Sequence, residues 1–168
     1  MVATYVIWPR GDQVARDVLM LAHPEFLEMI VYYGDLHYLK ETLVDRNGTE
    51  FPIEPEPSQI AENNLMLIGG DYPNPYVKKY FFDTGLITVD PVKQIMQGLG
   101  VYAGGVRCIA TISRSNATTV TAIFGKLAID TLYAMQDYLG GQNLLATAIP
   151  IITGVGGVVL GFVLGKKT

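Results

Sequence analysis

The sequence predicts an α/β fold, a mainly parallel sheet flanked by helices, followed by a C-terminal transmembrane-type helix. Three observations predict it. Short apolar, β-branched runs are each closed by Gly or Pro, helix-period stretches lie between them, and the last part of the chain carries a long uncharged run. Strands alternating with helices favour parallel pairing, because each crossover helix returns the chain in the same direction. The expected organisation is an α/β body over 1–142 and a hydrophobic C-terminal membrane anchor helix over 143–168.

Thr4 to Trp8 (TYVIW) is β-branched and apolar and ends at Pro9 and Gly11, the mark of a short buried strand. Asp12 is placed to cap a helix carrying Val14, Ala15, Val18, Leu19 and Ala22 at helical spacing, and the His23-Pro24 step disfavours its continuation. Met29 to Tyr33 reads as a second strand and Leu36 to Val44 as a short helix. Arg46 to Ser58 holds three prolines and an Asn-Gly pair, so it reads as an extended loop. Leu65 to Ile68 is a strand delivered into Gly69-Gly70-Asp71, and Pro75 opens a helix through Phe82, since Pro is preorganised for a first helical position. A small β element is expected over Leu86 to Val89, and a short helix from Asp90-Pro91. Arg107 to Ser113 reads as a strand. A long helix is then expected from Ser115 or Asn116, its apolar positions Val120, Ile123, Phe124, Leu127, Ala128, Leu132 and Met135 recurring at three and four.

The tail Leu144 to Gly165 runs 22 residues without a charge. As a helix at about 1.5 Å per residue it matches the roughly 30 Å of a bilayer's hydrocarbon core. Gly154, Gly157, Gly161 and Gly165 form a small-residue strip suited to helix packing, although glycine is also simply common in such helices. Two terminal lysines favour an exterior body and the missing secretory signal favours an interior one, so sidedness stays open.

Of 168 residues, 49% are hydrophobic and 17% charged, with a formal net charge of −4. The body holds ten basic against sixteen acidic residues, which argues against nucleic acid as a partner. Cys108 stands alone and reads as a small buried hydrophobe. His23 and His37 are too isolated for a metal set, and no Ser-His-Asp order, HExxH or paired-Cys motif is present, so no enzyme activity, cofactor or metal is expected. Gly98-x-Gly100-x-x-Ala103 imitates a dinucleotide fingerprint, but its order of helix and strand is reversed, so it reads as a turn. Two places suit a ligand. Gly69, Gly70 and Asn74 lie in a strand-to-helix turn, although Asp71 opposes a phosphate there. Ser113, Ser115 and Asn116, with Arg114, Thr118 and Thr119, lie at an expected helix start, where capping is the plainer use. Asn47 and Asn116 head sequons and are glycosylation candidates.

The stretch Asn64 to Val77, NLMLIGGDYPNPYV, is similar to the strand, IGGP, Asn-Pro, helix element of archaeal surface-layer (S-layer) proteins and related envelope domains. The stretch IATISRSNATTVTAI resembles the same family's strand, polar turn and helix, and Asp12 with Ala15 resembles its opening element. These islands cover about half of the body. The sequence departs from the pattern at Asp71, where the family has Pro, and at Thr118-Thr119-Val120. The resemblance implies a non-enzymatic envelope scaffold, often glycosylated and anchored by a C-terminal helix.

Together these readings lead to an expected structural protein of a cell envelope, surface filament or virion. It is anchored in membrane lipid at a cell surface or virion envelope and assembles as a homo-oligomer or lattice through its tyrosines and glycines. The alternative is an envelope binding module recognising a glycan or a protein.

Overall fold

The computed structural model describes residues 2–33 and 41–141. Its elements are β1 (Thr4–Pro9), α1 (Gln13–Ala22), β2 (Leu27–Tyr33), β3 (Glu41–Asp45), β4 (Glu50–Pro52), α2 (Ser58–Ala61), β5 (Asn64–Ile68), α3 (Pro75–Val77, continued as a π-helical turn over Lys78–Phe82), β6 (Ile87–Val89), β7 (Met96–Gly98), β8 (Val101–Tyr102), β9 (Arg107–Ser113), β10 (Thr119–Gly125) and α4 (Ala128–Gly141). One sheet runs β4-β3-β2-β1-β5-β10-β9-β8, and β6 with β7 forms a separate hairpin.

The centre of the sheet is parallel. Ile7 of β1 lies opposite both Met29 of β2 and Leu67 of β5, and Leu67 lies opposite Ala122 of β10. Both wings are antiparallel, with β3 and β4 beyond β2 and with β9 and β8 beyond β10. The expected mainly parallel sheet is therefore corrected to a mixed one in which antiparallel pairings are the more numerous. Between β9 and β10 the chain turns back on itself through a tight hairpin where a helical crossover was expected.

Four local expectations change with it. Glu41–Asp45 is a strand and not the end of a helix, while residues 34–40, with His37, lie outside the described residues. The proline-rich stretch contains β4 and leads into α2. After Pro91 there is a turn, because the Asp90 carboxylate accepts the N–H groups of Val92 and Lys93 at 2.8 Å and Gln94 takes a φ of 58°, so the chain reverses into β7. The long helix expected from Ser115 is the hairpin partner β10, entered through Ala117 at φ 68°, and helix begins only at Ala128. β10 is buried from Val120 to Phe124, on both faces, so the alternation that marks a half-exposed strand is erased.

Each face of the sheet carries its own core. On one face Val6, Met66, Ile68 and Ile123 pack against Val18 and Leu19 of α1 and Leu132, Met135 and Leu139 of α4. On the other, Ile7, Leu65, Leu67, Val120 and Phe124 meet Ile60 of α2, Tyr76, Val77 and Phe81 of α3, and Ile87 and Met96 of the hairpin. Full burial of each such side chain contributes about 1.5–3 kcal/mol.

Among the described residues no helix is long and apolar enough to cross a membrane. Over the described residues the longest, α4, covers 14 residues, about 21 Å of helix, short of a bilayer's hydrocarbon core. That finding corrects the expected transmembrane element and what was built on it: among the described residues nothing supports the membrane-anchored envelope, filament or virion role, lipid and a homo-oligomeric lattice as partners, or the surface-layer and glycoprotein terms. The expected span, with Gly154, Gly157, Gly161 and Gly165, lies outside the described residues.

Candidate functional site

From β1 the chain crosses through α1 to β2 on one side, whereas β5 leads through α3 toward β10 on the other. Helices α1 and α3 cover opposite faces. The loops after β1 and β5 consequently diverge and leave a crevice at the carboxyl ends of the parallel strands, the place where open α/β sheets bind ligands. A cleft of about 410 Å³ occupies it, lined by Gly11 and Asp12 after β1, Gly70 to Pro73 after β5, Gly125 to Ala128 after β10, and Thr131 of α4. Phe82, Val89, Gln94, Met96 and Phe124 complete the wall.

Backbone approach builds the base. A Cβ on Gly125 would stand 2.2 Å from the Cβ of Asp130, so only glycine lets α4 start this close to the end of β10. The Gly125 N–H donates to the Thr131 hydroxyl at 2.9 Å, which fixes that side chain at the back of the cleft. Gly69, at φ 96°, passes against Asp12: an added Cβ would meet the Asp12 Oδ2 at 2.9 Å. Gly70 has room, its nearest neighbour being the Phe124 ring at 3.6 Å.

Asp12 is 7% exposed and, despite its place before α1, makes no side-chain capping bond. Burial pushes its carboxyl up to about 6, and a hydrogen bond with Thr131 partly opposes the shift. Burial raises a carboxyl in this way because the anion loses water without an equivalent replacement. The walls beside it are apolar, with the rings of Phe82 and Phe124 5.9 Å apart at 50°. Tyr72, Val89 and Leu127 form an exposed apolar rim, joined by Lys126, which is exposed, and by Asp71.

Of the expected ligand residues, Gly70 lines this cleft and Gly69 supports Asp12 behind it. Asn74 is fully buried and engaged: its amide donates to the carbonyls of Ile7 and Ile68 at 3.1 and 2.8 Å, and its oxygen accepts the Tyr76 N–H at 3.1 Å. Ser113, at the end of β9, and Ser115 and Asn116, in the turn that follows, are exposed at the opposite end of the parallel strands. There Asn116 donates to the Ala61 carbonyl at 2.8 Å. Asn47 is exposed in the β3–β4 turn.

Arg114 joins a network at that same end. It donates to Thr118 at 2.9 Å, to the Tyr80 hydroxyl at 3.1 Å and to the Asn63 carbonyl. Tyr80 in turn donates to Glu56, which also pairs with Lys79. These groups satisfy one another.

The sequence reading missed Asp12, Lys126 and Thr131 as cleft residues. Asp12 did carry a usable signal, since it follows a strand and precedes a helix just as Gly69-Gly70 does. Among the described residues no group of three or more His, Cys, Asp or Glu could hold a metal ion. Comparison with family models, curated proteins and solved structures gives no match.

Proposed function

We propose that this domain is a binding module for a small organic molecule of mainly apolar surface, held in the cleft at the carboxyl ends of β1, β5 and β10. The carrying observation is the coincidence of a roomy, apolar-walled cleft with the point where the connections of the sheet diverge. A few convergent polar groups, Asp12, Thr131 and the main chain of Gly11 and Gly70, are what such a site uses to orient its ligand. Binding without turnover is the reading supported by the acid-base inventory. Asp12 is the buried titratable group of the lining, while Asp71 and Lys126 stand nearer solvent, so among the described residues the lining offers no second buried acid or base to share a proton transfer with it.

The test is a fragment screen on the full chain by amide NMR, with uncharged aromatic and aliphatic compounds. Binders are expected to move the amides of Gly70, Gly125 and Thr131, and Gly70→Leu, which puts a side chain into the cleft, is expected to abolish the response. Binders that move only amides of the β9–β10 turn would overturn the proposal.

A further inference from the structure

Resting on that reading of the cleft, we infer that its ligand is a nitrogen base: a flat aromatic or heteroaromatic body carrying a cationic amine or amidine-type group, seated with that nitrogen against Asp12.

Three observations lead there. The first is the state of Asp12. Its carboxyl is wedged between Gly69 and Thr131, is almost wholly buried, and has no cationic side chain as a partner among the described residues. A buried carboxylate is costly unless paired with charge and hydrogen-bond donors. Within the cleft the neutral hydroxyl of Thr131 meets that need only in part, and an N–H donor with positive charge would complete it with a charge-assisted bond.

The second is the sign of the site. Asp12 and Asp71 both line the cleft, and the opposing Lys126 is exposed, so its field is screened by solvent while that of the buried carboxylate is not. A phosphate or carboxylate ligand would have to approach Asp12 against that field.

The third is the wall. Phe82 and Phe124 present ring surface, Met96 a polarisable thioether, and Tyr72, 89% exposed, a further ring at the mouth. Flat rings and cations are both attracted to such surfaces, the cation by the negative face of the aromatic ring.

The experiment uses three indoles of one ring and different charge: tryptamine, indole and indole-3-acetate. Each is titrated into the full chain at pH 7.5 and read by the amides of Gly70, Gly125 and Lys126. Tryptamine is expected to bind on the order of tenfold tighter than indole through its charge-assisted bond, with indole-3-acetate weakest. Asp12→Asn is expected to erase the advantage of tryptamine over indole, and Asp12→Ser gives the same comparison with a smaller side chain. If indole-3-acetate binds as tightly as tryptamine, or the preference survives in both variants, the nitrogen-base inference is wrong while the cleft remains a binding site. If none of the three moves these amides, the cleft reading fails and the inference with it.

Discussion

The side-chain amide of Asn74 donates to the main-chain oxygen of Ile7 at 3.1 Å, across 67 residues of sequence. Through its second bond, to Ile68, one side chain joins the carboxyl ends of β1 and β5, the two strands whose loops diverge around the cleft. Asn74→Ala leaves these two carbonyls and the Tyr76 N–H without this partner in a fully buried place. An expected loss of about 3 kcal/mol follows, to be measured by urea unfolding. Asn74→Asp should be no better, because a carboxylate cannot donate.

Asp12 has a pH signature of known sign. Its folded carboxyl titrates near 6 against an ordinary 3.8, so the folded state holds the proton more tightly than the unfolded state. Stability should therefore fall as pH rises from about 4 to about 6 and level off above, at a cost of about 3 kcal/mol. Asp12→Asn, which cannot ionise, should be the more stable protein at pH 7 by up to about that amount. Thermal melts of both proteins between pH 4 and 8 should converge at the acid end.

Two glycines of the cleft should answer differently to alanine. In Gly125→Ala the new Cβ collides with Asp130 at 2.2 Å and α4 has to shift, which should cost about 3 kcal/mol. In Gly70→Ala the Cβ meets the Phe124 ring at 3.6 Å, an ordinary contact, and stability should change by less than about 1 kcal/mol. Denaturant midpoints of the two variants make the comparison.

Gln136 of α4 is fully buried, and neither its amide nitrogen nor its oxygen has a hydrogen-bond partner among the described residues. Gln136→Met keeps the length of the side chain and removes both polar atoms. It should raise stability by about 1 kcal/mol, seen as a higher melting temperature; a drop of that size would show the amide to be satisfied in solution.

What could be read in advance followed local chemistry. The first strand, the helix from Gln13 to Ala22 and the Pro75 helix start all announce themselves through neighbours in sequence: Pro9 and Gly11, the His23-Pro24 step, and the Asn74-Pro75 pair. β10 did not, because its fate depends on neighbours from β5, β9 and α4 that cover both faces and hide its period. That one misassignment also removed Lys126 and Thr131 from view as cleft residues, since a continuous helix has no strand end at Gly125. Gly70 was legible from its strand-to-helix turn. Asp12 was seen only as a cap, because its burial against Gly69 and Thr131 is a tertiary fact.

The cleft divides its labour by atom type. Close main-chain approach at Gly69 and Gly125 shapes its base and ties it to the sheet, whereas Tyr72, Val89 and Leu127 stand exposed at its mouth. Descendants of this sequence could thus exchange those three side chains and acquire new chemical tastes while inheriting the same architecture unaltered.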